Sequence, residues 1–213
     1  MNPGYNYENV AIVHVNAING YQRSRCLSEI KRMPDVKEVA STCAVPLENY
    51  AVNGNNLSLP DDRKSLQIVH DAWGVDDNYF RMMAIDFVQG SFFTERNDSS
   101  RQVIIDEALA KRLTTLGHWK DGAVGKRVYI SSHCNEDETM TICGVVKNIK
   151  YGAVTSEDAE FKNMSFVYFY APWTAPYMLV KFNNLTEDAL TEWRNKGQSM
   201  YPNNKVAVLD YES

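Results

Sequence analysis

The stretch 74–98, GVDDNYFRMMAIDFVQGSFFTERND, decides how the rest of the chain is read. Its centre, YFRMMAIDFVQGSFF (79–93), gathers aromatic, methionine and branched aliphatic side chains around one glycine and then stops in a polar turn. Three readings compete: the wall of an active site, a pocket lined by adaptable methionines, or a packing element. Tyr79, Phe80, Met83 and Ile85 fit the third. They read as a short helix, DDNYFRMMA, packing a small subdomain, with Gly90 permitting a tight turn behind it. The helix opens an insertion, about residues 77–162, between two flanking pieces.

Upstream, NVAIVHVN (9–16) reads as a strand with Val10 and Ile12 on one face and Ala11, Val13 and Val15 on the other. Both faces are apolar, which suits a central strand covered on both sides. A helix follows over about Ile18 to Met33, with Cys26, Leu27, Ile30 and Met33 at helical spacing and Arg23, Arg25 and Lys31 facing water; Pro34 ends it. VKEVASTCAV is a second strand, residues 46–63 a polar loop with turn signals at Asn53-Gly54 and Pro60-Asp61, and Ser65 to Val75 one long strand. Downstream, YMLVKF (177–182) is a strand. TEDALTEWRNKGQSMY is a helix capped by Thr186, with acids in its first turn, and KVAVLD is the last strand. The outer pieces therefore read β-α-β-β … β-α-β, an α+β arrangement matching a split βαβ, ferredoxin-like unit.

Inside the insertion, QVIID leads into the helix EALAKRLTTLG, with Leu109 and Leu113 four apart. GKRVYIS and MTICGVVKNI are strands joined by the acidic loop SHCNEDET, and KYGAVTSEDAEFKN is an exposed loop. SFVYFY is a further strand that either part can claim. The division is thus 1–76 with 163–213, and 77–162.

Bulk properties exclude several functions. The 213 residues carry a net charge of −5, 44% hydrophobic and 23% charged residues, ordinary for a globular chain. No basic block exists, which argues against a nucleic-acid partner. No apolar run reaches the roughly 18 residues needed to cross a bilayer, and the start, MNPGYNYEN, has no leader pattern, as an excised piece of a longer chain could also look. Four cysteines, Cys26, Cys43, Cys134 and Cys143, allow three pairings that sequence cannot separate. Cys134 and Cys143 could meet across a hairpin; buried thiols are the plainer alternative.

Catalytic patterns are wanting. DGAVGKRVYI superficially resembles a phosphate loop, yet Gly122 and Gly125 are too close and Arg127 stands where a hydroxyl is needed, so a turn entering a strand is expected. His14, His70, His118 and His133 are scattered. His133 and Cys134 beside Asp137 and Glu138 lie in a loop without rigid metal geometry. Ser91 follows Gly90 without a nucleophile elbow, and the carboxylate pairs Asp61-Asp62 and Asp76-Asp77 sit in turns or caps. The expectation is no catalytic residue, no cofactor and no metal, with the ligand or partner surface unassigned. Glycosylation sequons at Asn56, Asn97, Asn163 and Asn184 all fall in expected loops.

The order of these pieces resembles the extracytoplasmic domain of MacB-like permeases, of the FtsX-type branch of ABC transporters. The stretch 74–98 resembles that family's "vs.dYf..mgi.l..GR.Ft..D", QVIIDEALAKRL its "vviNe.lA..l", and AVGKRVYI with TICGVVKNIKYG its "..G+.i" and "..i.GVv.d..". NVAIVHVN and IKRMPDVKEVASTCAVP resemble its first strand and "l..ipgV..vs..s..P". Gly90-Ser91 replaces the usual Gly-Arg, and Asp106-Glu107 the frequent Asn-Glu. The resemblance implies a porter-like ferredoxin lobe rooted near the membrane and a smaller inserted, Sabre-like αβ lobe. It further implies a non-catalytic domain on the periplasmic face of the bacterial inner membrane, lying between the first and second membrane helices and coupling ATP hydrolysis to events outside the membrane. The partners implied are a cytoplasmic ABC ATPase, a second permease subunit and a periplasmic adaptor. Relatives serve efflux, lipoprotein release or signalling to wall hydrolases. Both chain ends should emerge on one side. A free-standing extracytoplasmic ligand-binding or sensor domain is the alternative; it would need a deep pocket lined by the aromatics of 79–93 or by Trp173 and Tyr177.

Overall fold

The outer pieces build the expected unit. In the computed structural model, which describes residues 6–15, 19–43, 45, 55–69, 71–97, 100–136, 138–149 and 165–211, β1 (Val10–Val15), α1 (Gly20–Ile30) and β2 (Val36–Thr42) come first, and β11 (Tyr177–Phe182), α4 (Glu187–Met200) and β12 (Val206–Asp210) last. Their strands lie in the order β12-β1-β11-β2, all antiparallel, which is the split βαβ arrangement. The helix starts are chemically specified. Asn19 forms a capping box with Gln22, and Thr186 accepts from the Ala189 N–H.

The two apolar faces of β1 are both used. Ala11, Val13 and Val15 pack against Cys26 and Ile30 of α1 and Leu190 of α4. Val10 and Ile12 belong to a second core with Trp73, Tyr79 and Phe80. The cover for that second face comes from within the chain, from α2 (Asp77–Met82) and its surroundings.

Between these segments run β3 (Asn55–Leu59), β4 (Asp62–Val69), β5 (Asp71–Val75), α2, β6 (Phe87–Gly90), β7 (Gln102–Asp106), α3 (Glu107–Leu116), β8 (Arg127–Ile130), β9 (Met140–Val146) and β10 (Phe166–Tyr170). The sheet continues from β2 through β5-β10-β7-β9-β8-β3-β4, with β6 on β9, twelve strands among the described residues. The strand that either part could claim, β10, lies between them, parallel to β5 and antiparallel to β7. A third core, with Leu109 and Leu113 of α3 on Val103, Ile105, Val128 and Ile142, fills the inserted region.

Four expectations need correction. Part of the loop expected over 46–63 is strand: β3 carries Leu57, fully buried, and pairs with both β4 and β8, so Asn56 lies in a strand. The long strand expected over 65–75 is two strands with different partners, β4 on β3 and β5 on β2 and β10; a continuous run of strand-forming residues carries no mark of where the partner changes. The tail of 79–93 is a strand, β6, rather than a turn alone. Arg23 does not face water; it is 7% exposed. His70, Asp137, Asn163 and the loop 150–163 lie outside the described residues.

Candidate functional site

The stretch that opened the question is core. Tyr79, Phe80, Met83 and Phe93 are at most 1% exposed. Phe80 sits at the centre, its ring 5.2 Å from Tyr168, 5.4 Å from Phe87 and 5.5 Å from Tyr79, largely edge-to-face. These rings are buried and touch one another, so packing explains the sequence. Gly90 is required for a reason beyond turn-making. Its φ is +68°, and a Cβ there would strike the Cys143 carbonyl and the Gly144 Cα across the β6–β9 pair.

Two aspartates knit this core together. Asp76 caps α2 by accepting from the Tyr79 N–H (3.0 Å) and also accepts from the Ser41 N–H of β2 (2.9 Å). Asp106 caps α3 by accepting from the Leu109 N–H (2.8 Å), and accepts from the Phe166 N–H of β10 (2.7 Å) and the Ser165 hydroxyl. Each carboxylate therefore fixes a helix start to a neighbouring strand. Burial pushes both up to about 6, against the hydrogen bonds that favour the charged form. The Asp106-Glu107 departure noted in the sequence thus keeps a capping side chain in place.

The remaining candidates are dispersed. Ser91 is exposed, and its hydroxyl donates to the Phe92 carbonyl. His133 stacks on Phe169 at 4.0 Å. Gly122 and Gly125, both at positive φ, form a turn before β8. Cys134 packs in the third core, while Cys143, on β9, packs with the Phe80 cluster and directs its thiol to the Val103 carbonyl; none of the four cysteines is in a disulfide. No group of three or more His, Cys, Asp or Glu suited to a metal occurs among the described residues. An apolar cavity of roughly 20 Å³ lies between α1 and α4, and an open groove of about 690 Å³ is bordered by Asp62, Arg63, Trp119, Lys126 and Glu136.

What the fold does organise is polarity along the strands. Tyr7 and Tyr211, near the two ends of the described chain, stack at 5.4 Å, and the Tyr211 N–H donates to the Val10 carbonyl. Strand register places this pole at the Val10, Phe182 and Val36 end. The opposite pole holds the ends of β1 and β2, the start of α1 and the turn before β11. There the large aromatics surface: Tyr21 is 79% and Trp173 40% exposed, Trp173 lies edge-on to Tyr170 at 5.7 Å, and His14 lies against Tyr177 at 5.0 Å. Exposed tryptophan and tyrosine are the residue types that dominate protein interfaces. Sequence reasoning singled out Trp173 and Tyr177 but missed Tyr21, since one tyrosine in a helix carries no mark of its exposure.

Known structures share this fold. The periplasmic region of MacB from Actinobacillus actinomycetemcomitans aligns over 97% of this chain and 90% of its own at 13% identity, TM-score 0.60. The extracellular domain of the noncanonic ABC-type transporter YknZ from Gram-positive bacteria aligns over 93% of this chain and 100% of its own at 14% identity, TM-score 0.56. No curated protein matches the chain. The model of the MacB-like periplasmic core domain matches residues 5–194, and the chain belongs to that family, the extracytoplasmic domain of ABC-type transporter permeases.

Proposed function

We propose that this domain does no chemistry of its own and relays motion from the membrane to a partner outside it. The observation that carries the reading is the adjacency of the chain ends at one pole, Tyr7 on Tyr211 at 5.4 Å, with exposed aromatics gathered at the other. Membrane helices continuing from both ends would move one pole, and the sheet would carry that movement onward. Two lobes serve the relay: residues 1–76 with 163–213, and 77–162, the hairpin of β3 and β4 being tied to the second through β8. The driving partner is a cytoplasmic ABC ATPase, acting through a permease paired with a second subunit. A periplasmic adaptor or the exported molecule, of efflux or lipoprotein and peptide type, would meet the far pole.

The test uses the whole permease with its ATPase in lipid nanodiscs, spin-labelled at position 21, where the native side chain is 79% exposed. ATP binding should shift the label-to-label distance distribution between the two permease copies. Identical distributions with no nucleotide, with ATP and with ADP would sink the relay.

A further inference from the structure

We infer that Arg23, at the pole far from the chain ends, anchors a binding site for a carboxylate group. The starting point is an anomaly. Arg23 is 7% exposed, its Nη1 is enclosed without a hydrogen-bond partner, and no carboxylate among the described residues pairs with it. A buried cation without a counter-charge is among the costliest arrangements a protein can hold. The thiols of Cys43 and Cys26 interact electrostatically with its guanidinium. The nearby acid on the same helix, Glu29, is already engaged with Arg25 at 2.9 Å.

The surroundings repeat the sign. Side chains on a helix lean toward its N-terminus, so Arg23, in the first turn of the eleven-residue α1, is directed at the positive end of that helix. Asn19 satisfies the Gln22 N–H by its side chain and the Arg23 N–H by its carbonyl. The Gly20 and Tyr21 N–H groups, earlier in the turn, have no helical carbonyl to bond. His14, between Val13 and Val15 and so on the face of β1 opposite α1, is disfavoured as a cation first by burial and then by Arg23 and Lys205. A buried guanidinium and a helix N-terminus meet at this pole, and the missing component is an anion.

A carboxylate fits better than a dianion. The guanidinium presents coplanar N–H donors matched to two carboxylate oxygens, and in so enclosed a place a single negative charge costs least to desolvate. A free small acid can supply that group, and so can an aspartate or glutamate presented by a protein. The site stands on the geometry of this pole and holds whether or not the relay does.

The experiment is a ¹H–¹⁵N chemical-shift titration of this chain with sodium acetate, with a hexaglutamate peptide, and with hexaglutamine and phosphate as comparators. Saturable shifts at Gly20 to Arg23 are expected with millimolar affinity or better, for acetate if the source is a free acid and for hexaglutamate alone if it is a protein segment. Arg23→Gln should weaken binding about tenfold or more. Arg23→Met, which removes the unpaired charge, should melt about 2 °C or more above the native chain while losing the response. Absence of any saturable response to either carboxylate probe overturns the site. So does binding undiminished in Arg23→Gln, or in Arg23→Met should Arg23→Gln fail to fold. A response to phosphate with none to either carboxylate overturns the assignment of the ligand.

Discussion

Gly90 and the two capping aspartates show how single residues govern this fold. At φ +68° with the Cys143 carbonyl against its missing side chain, Gly90 has no room for a methyl group. Gly90→Ala should cost about 2–4 kcal/mol, from left-handed strain plus displacement of β9, read as a lower urea midpoint. An unchanged midpoint would show that β6 can shift freely. Asp76 and Asp106 titrate near 6 when folded against an ordinary 3.8. The folded state therefore holds these protons more tightly than the unfolded chain. Their contribution is complete below about pH 4 and is lost as pH rises through about 6. His14, lowered mainly by burial, works the other way, losing stability as pH falls. The difference between the native chain and Asp106→Asn isolates one carboxyl. Asparagine can still cap α3, and between pH 8 and pH 5 the native chain should gain on the variant by about 1.4 kcal/mol. Parallel melting curves across that range would rule the buried-acid effect out.

At the scale of elements, the free edges of the sheet are managed differently. Among the described strands β12 pairs only with β1, and its outer side is stoppered by Arg194, whose Nε donates to the Val208 carbonyl at 2.9 Å. Removing that donor exposes an unpaired backbone edge beside Leu209, 43% exposed. Arg194→Ala should associate in a concentration-dependent way by light scattering while the native chain does not. An equally monodisperse variant would mean that α4 alone guards the edge. Elements were legible in the sequence wherever periodicity and capping agreed. Thr186 with its acidic first turn marked α4, and QVIID followed by Leu109 and Leu113 marked β7 and α3. They were illegible where pairing decides. The run 65–75 is strand-like throughout, so its division follows only from β3 taking β4 and β10 taking β5. The same limit applies to Arg23. Its spacing of three to Cys26 and seven to Ile30 placed it on the apolar face, but an arginine carries a prior for water that outweighed the spacing.

For the whole molecule, the adjacency of the ends makes a plain forecast. Joining residues 6 and 211 with a short glycine-serine linker, and reopening the chain near Asn135, should give a permuted protein that melts within a few degrees of the original. Failure to fold would mean that the ends are held together only by the chain order itself. The ferredoxin-like order was legible at this scale from the sequence. The position of β10 as the strand joining both parts was not, because its apolar run suits either neighbour.

The placement of those ends also sets how the domain answers force. The chain enters β1 at Val10 and leaves β12 at Asp210, with Ala11 opposite Asp210 at the mouth of the pair. Tension that draws the two ends apart loads the rungs of that ladder singly, peeling it as a zipper opens, instead of sharing the load across all rungs in shear. A piston stroke or twist that carries both ends together stresses none of them. The fold is therefore compliant to separation of its two ends and stiff to their common motion, so under the proposed relay a stroke would pass only while both ends travel as a pair.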